Sequence, residues 1–99
     1  MKHFAVLLVS LLLASSFAQE TCTTQKDSYK IGFANLTEDV AFTQLVREGL
    51  EKEAAALGNV ELVLADNKLD GATALSNTEN FITQGVDGII HFQTDAAFG

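Results

Sequence analysis

The stretch Tyr29 to Asn67, YKIGFANLTEDVAFTQLVREGLEKEAAALGNVELVLADN, decides the fold, because its hydrophobic period changes twice within it. YKIGFAN (29–35) and VELVLA (60–65) are short, nearly continuous apolar runs. Such runs suit strands covered on both faces, as in a parallel sheet. Between them, Phe42, Leu45, Val46, Gly49, Leu50, Ala54 and Leu57 recur at three- and four-residue spacing, the stripe of one helix face. Glu48 and Lys52 form an i, i+4 pair on the other face. Asp39 is the expected N-cap of this helix, and Gly58 stands where a left-handed residue ends it.

Toward the C-terminus a second helical pattern starts from Asp70, again an expected N-cap. It turns Ala74, Leu75, Thr78, Phe81 and Ile82 inward and closes at Gly85, and GIIHF (88–92) is the third strand signal. The order is β-α-β-α-β. Right-handed crossovers then give a parallel sheet in spatial order 2-1-3, the core of an α/β, three-layer α-β-α sandwich. In such sheets ligands bind at the carboxyl ends of the strands, near the point where strand order reverses. Those ends are Asn35 to Phe42, Asp66 to Asp70 and Gln93 to Asp95. The sequence stops at Gly99, where a third helix is expected, so residues 29–99 read as an incomplete lobe with strand 3 an open apolar edge.

Toward the N-terminus, Lys2, the apolar run Ala5 to Leu13 and the small residues of Ser16-Phe17-Ala18 have the layout of a secretory signal peptide, residues 1–18. The run is too short to span a bilayer, which takes about 20 apolar residues. Cleavage is expected between Ala18 and Gln19. Gln19 to Ser28 is polar and Thr-rich and reads as a flexible leader. The expected location is the periplasm or the extracellular space, with no membrane-embedded segment after cleavage. The net charge of −7, or −8 once Lys2 is removed, disfavours nucleic acid and anionic lipid as partners. Cys22 is the single cysteine, so no internal disulfide forms, and Gln19-Glu20-Thr21 before it fits a lipidation site poorly.

Most chemical motifs fail on inspection. The first strand–helix turn, Asn35 to Phe42, has no glycine and carries Glu38 and Asp39 at the helix start, so a dinucleotide phosphate has no cradle there. Asp66-Asn67-Lys68-Leu69-Asp70-Gly71 has the outline of a calcium loop, but Lys68 and Asn77 occupy positions that need a ligand oxygen and a bidentate Glu. His3 and His91 are far apart, and no Ser-His-Asp or Cys-His set assembles. No cofactor or metal is expected. Asn35-Leu36-Thr37 matches the N-glycosylation sequon, relevant only in a eukaryotic secretory pathway. What remains is a group of polar residues at the strand ends: Asn35, Glu38 and Asp39; Asp66 and Asn67; Gln93, Thr94 and Asp95. Phe42 joins them as an apolar face. Amides and carboxylates can bond adjacent hydroxyls while an aromatic face packs a sugar ring. Residue by residue, helix capping by Asp39 and Asp70 and a core Phe42 are the competing assignments.

Two phrases carry a family likeness: GLEKEAAALG at Gly49 to Gly58 and QGVDGII at Gln84 to Ile90. With the opening strand YKIGFAN, they make the chain from Tyr29 to Phe98 resemble the N-terminal lobe of periplasmic sugar-binding proteins of the ribose/galactose/xylose type. The resemblance implies a non-catalytic receptor that binds a monosaccharide between two lobes and delivers it to an ABC permease or a chemoreceptor. It implies ligand contacts from Phe42, Thr94 and Asp95, to which the polar group at the strand ends adds Asn35 and Asp39. The family's N-P-F-F phrase corresponds to Val40-Ala41-Phe42-Thr43, which keeps one aromatic residue, and its T-D phrase to Thr94-Asp95. The alternative class is an exported α/β hydrolase-type enzyme, which would need a nucleophile elbow such as G-x-S-x-G; these residues contain none. A response-regulator-like domain shares the β-α-β order but not the signal peptide.

Overall fold

Chain order and sheet order differ in this protein, because the first strand lies in the middle of the sheet. A computed structural model describes residues 25–98. The expected signal peptide, the expected Ala18–Gln19 cleavage point and Cys22 lie outside the described residues. The elements are β1 (Tyr29–Asn35), α1 (Ala41–Leu57), β2 (Val60–Asp66), α2 (Gly71–Thr83) and β3 (Gly88–His91), followed by a 3-10 turn at Ala96–Phe98. β1 lies in the middle, parallel to both neighbours, giving the order β2-β1-β3. Tyr29 to Asn35 pairs in register with Val60 to Asp66, and Ile31 to Ala34 with Gly88 to His91. The α/β class and the 2-1-3 order are as the sequence predicts, and the strand bounds agree to within a residue.

Alternation along β1 divides its residues between the two helices. Gly32 meets α2 so closely that a Cβ there would sit 2.7 Å from the Phe81 ring, which explains the glycine. Asn35 points to the opposite face, where its side chain reaches α1. Phe33, Ala34, Ala54, Ala74 and Phe81 form the buried core. Burying the Phe33 and Phe81 rings stabilises the fold by about 1.5–3 kcal/mol each.

Both helices bury less than their stripes suggest. On α1 the buried residues are Thr43 and Ala54, whereas Phe42 and Leu45 are 64% and 65% exposed and Leu57 is also exposed. On α2, Ala74 and Phe81 are buried, but Leu75 and Ile82 are exposed. The spacing correctly marked the helices and misplaced half of each core face. Its cause is the narrow sheet: α1 packs mainly on β2, and α2 on β1 and β2, so the flanks beside β3 have no cover among the described residues.

Caps follow the sequence at three of four ends. Asp70 accepts hydrogen bonds from the Thr73 N–H at 3.0 Å and the Thr73 hydroxyl at 2.7 Å. Gly58 and Gly85 take left-handed φ values of 76° and 68°, ending α1 and α2. Asp39 does not cap α1. The N-cap is Val40, with no side-chain bond to the helix, because Asp39 is held one residue early by its N–H to the Thr37 hydroxyl at 3.2 Å. The end of the leader is also tethered: Lys26 forms an ion pair with Asp87, whose other oxygen accepts the Lys30 N–H.

Candidate functional site

Backbone hydrogen bonds extend the sheet one residue past its carboxyl ends: Asn67 N–H to Asn35 O at 2.8 Å, and Phe92 N–H to Ala34 O at 2.9 Å. The three exit loops therefore leave side by side. Two further features organise them. Asn67, 1% exposed, donates its amide to Phe92 O at 3.0 Å and Ala34 O at 3.3 Å, and accepts from the Asn77 amide at 2.9 Å. One side chain thus ties the ends of all three strands to α2. Beyond it, Lys68 and Leu69 both have φ of 54°, a left-handed pair without glycine. Each such residue costs about 1–2 kcal/mol, a cost the surrounding bonds of Leu69 N–H to Leu36 O and Asp70 N–H to Asn67 O help to offset.

The expected site residues separate into distinct positions. Asn35 is fully buried. Its amide donates to Glu38 Oε1 at 2.9 Å and Thr43 O at 3.0 Å, while its oxygen accepts the Leu36 N–H at 3.0 Å. In this conformation it shapes the β1–α1 loop and does not reach a ligand, and its burial also removes the Asn35 sequon as an acceptor in the folded chain. Asp39 is exposed on that loop. Thr94 and Asp95 line a small cleft, open to solvent, with Asn67, Leu69, Asp70 and Gln93. Asp95 also starts the terminal turn, its Oδ1 accepting the Ala97 N–H at 3.0 Å. In that turn Phe98 packs against Gly71, where a Cβ would lie 2.4 Å from the ring. Phe42 does not line this cleft. It stands at the start of α1 against Phe92, ring centroids 6.5 Å apart at 81°.

Charge at the rim differs from the sequence expectation. Glu38 and Asp39 together promise a negative edge, but Arg47 Nε bonds Glu38 Oε2 at 2.9 Å and its guanidinium also reaches Glu51 at 2.8 Å. The Asn35 amide holds the Glu38 carboxyl below its usual range; burial opposes this, and Arg47 lowers it further. Asp39 is left as the exposed charge of the loop. Sequence reasoning singled out Asn67 only as one loop polar among several and gave Phe92 no role. A buried asparagine just past a strand end is the signal for the first; no local pattern marks the second, which needs the 2-1-3 pairing to meet Phe42.

Among the described residues there is no metal-binding cluster, and no helix is long and apolar enough to cross a membrane. No family model and no solved structure matches the chain. Two curated proteins do. The chain is 27% identical to "Ribose import binding protein RbsB" of Bacillus subtilis (strain 168), over 93% of its own length and 32% of that protein's. It is 33% identical to a "Putative rhizopine-binding protein" of Rhizobium meliloti, over 91% of its length and 26% of the relative's. The chain therefore spans a third or less of the relatives it matches. Both are named for binding and neither for catalysis. Over more than nine-tenths of its length the chain is thus similar to part of two proteins named for binding a ligand, and its own parallel 2-1-3 sheet is of the α/β class.

Proposed function

We propose that this chain forms one wall of the ligand cleft of an exported solute receptor, which binds a small polar ligand of the monosaccharide class between two lobes. Delivery to an ABC permease, or signalling through a chemoreceptor, completes the role, and the periplasm or the extracellular space is its location. The observation that carries the reading is Phe42. It is 64% exposed and stands at the carboxyl end of a parallel sheet, where such folds bind ligands. Thr94 and Asp95 leave the same sheet end and offer a hydroxyl and a carboxylate to ligand hydroxyls. Asp39 extends the polar rim, while Asn35 holds the loop that presents both it and Phe42. Pairing of Glu38 with Arg47 leaves a rim suited to a neutral polyol.

Calorimetric titration of the full-length protein against D-ribose, D-galactose and D-xylose tests this. Phe42→Ala is expected to weaken binding several-fold, a loss of about 1 kcal/mol, with little change in melting temperature. A wild type that binds none of the sugars refutes the receptor reading. A Phe42→Ala variant that binds as tightly as wild type refutes the placement of Phe42.

A further inference from the structure

The small cleft at the sheet's carboxyl end has two walls, and they come from different loops. Leu69, Asp70 and Gly71 form one, at the start of α2; Gln93, Thr94 and Asp95 form the other, on the exit from β3. At its sheet end the second wall is fixed. The Phe92 N–H donates to Ala34 O at 2.9 Å, and the buried Asn67 amide donates to Phe92 O at 3.0 Å. Past Phe92 this wall bonds only to itself. The Asp95 N–H donates to Gln93 Oε1 at 2.8 Å, the Ala97 N–H to Asp95 Oδ1 at 3.0 Å, and the Phe98 N–H to Asp95 O at 3.1 Å. These bonds make Gln93 to Phe98 one small unit, and none of them ties that unit to the rest of the fold.

Its far end is tied by packing, where the Phe98 ring lies on Gly71. A Cβ at Gly71 would overlap that ring and would also stand 3.1 Å from Asp95 Oδ2, tighter than ordinary contact. Gly71 has no left-handed φ, so the position needs a glycine for room and not for backbone freedom. Glycine is a poor helix former, yet it is the first residue of α2. The wall it belongs to is held firmly, because Asp70 caps α2 through the Thr73 N–H at 3.0 Å and hydroxyl at 2.7 Å. Two clamps thus set the width of the cleft: Asn67 on Phe92 at the sheet end, and Gly71 beneath Phe98 at the far end.

Resting on the receptor reading above, we infer that Gly71 is a positioning residue of the ligand site, which seats the Phe98 turn on the start of α2 and so fixes Thr94 and Asp95 at the cleft. A side chain at this position has two consequences open to it. Either the ring swings further into solvent, where Phe98 is already 42% exposed, or the turn moves off α2 with its backbone. Both release the far clamp. Asp95 then loses its fixed place, and each hydroxyl contact it makes must first be ordered, at a cost in affinity. Phe98 does not line the cleft and acts only through the turn.

The test is titration of the full-length protein with D-ribose, D-galactose and D-xylose, for wild type, Gly71→Ala, Phe98→Ala and the double variant. Hydrogen exchange across residues 93–98 is followed in each without ligand. Gly71→Ala is expected to weaken the best-bound sugar by about tenfold and Phe98→Ala by roughly threefold, as the wall loses its preorganisation. The double variant should bind like Phe98→Ala alone, because a Cβ at 71 meets no ring once the ring is gone. Exchange at Ala97 and Phe98 should quicken in all three variants. Helix propensity alone would act the other way: Gly71→Ala would raise the melting temperature and keep wild-type affinity, and that result overturns the inference. An equal loss from Gly71→Ala with and without the Phe98 ring overturns it too, since the contact would not be the cause. Should Gly71→Ala fail to fold, Phe98→Ala decides, and wild-type affinity or wild-type exchange in that variant overturns it. Any of these failures leaves the receptor reading standing. A wild type that binds none of the sugars removes both.

Discussion

Glu38 shows how one side chain can serve loop shape, helix placement and charge at once. Its two oxygens are divided between the Asn35 amide and Arg47, so it joins the end of β1 to the flank of α1. Those bonds favour its ionised form and lower its pKa below the ordinary 4.5. Asp70, bonded by the Thr73 hydroxyl and N–H, and Asp87, bonded by Lys26 and the Lys30 N–H, are shifted in the same direction. A carboxylate whose folded pKa is depressed contributes stability above its unfolded value and loses it as pH falls through the folded one. Stability of the full-length protein should therefore be flat from neutrality to about pH 5 and fall steadily below the ordinary carboxylate range. Glu38→Gln should shallow that acid slope, because the amide has no proton to gain there. Melting temperatures from pH 7 to pH 3 check this, and a variant slope equal to wild type would show that Glu38 adds nothing to acid sensitivity.

At the scale of elements, the strands and helices are legible in the sequence because periodicity and caps agree. Asp70, Gly58 and Gly85 mark their helix ends as local chemistry requires. The start of α1 was not legible to the residue, since the Asp39 signal competes with Asn35 and Thr37, whose side chains take the loop's N–H groups first. Thr43, a buried polar residue inside an apolar stripe, carries no hydropathy signal at all; its burial depends on a carbonyl partner across the loop. The candidate site was legible as a location, the strand carboxyl ends, and less so in its members. Asn35 looks like a ligand amide until its partners are seen, and Phe92 acquires meaning only when β3 lies beside β1. The uncapped start of α1 leads to a prediction. Val40 is about half exposed with φ −120° and ψ 133°, the extended geometry an N-cap needs, yet it has no acceptor. Val40→Ser should supply one and stabilise the protein by about 1 kcal/mol. A higher denaturant midpoint with unchanged m is the expected result; no shift would mean that the free N–H groups of the first turn are already satisfied by water at no cost.

For the molecule as a whole, the decisive feature is apolar surface left without cover among the described residues. β3 is an edge strand, and Ile89 and Ile90 on its two faces are more than a third exposed. Leu75 and Ile82 on α2 continue the patch on one side. On the other, an open groove runs between Leu50, Ala54 and Leu57 of α1 and Ile31, Leu62 and Ile90 of the sheet. Edges of this kind template pairing with other chains unless they are short, charged or covered, and β3 is short but neither charged nor covered. A right-handed crossover from β3 to a strand on its free side would lay its helix beside α2, over Leu75 and Ile82, and would pair the edge in the same step. Residues 19–99 produced in isolation, without such a neighbour, are expected to associate into heterogeneous oligomers and to melt without a cooperative transition. Sedimentation and a thermal scan of that segment, beside the full-length protein, check the expectation. A soluble monomer with a sharp two-state melt would mean that the narrow core of Phe33, Ala54, Ala74 and Phe81 is sufficient by itself, and that the exposed faces of α1, α2 and β3 need no further strand or helix to cover them.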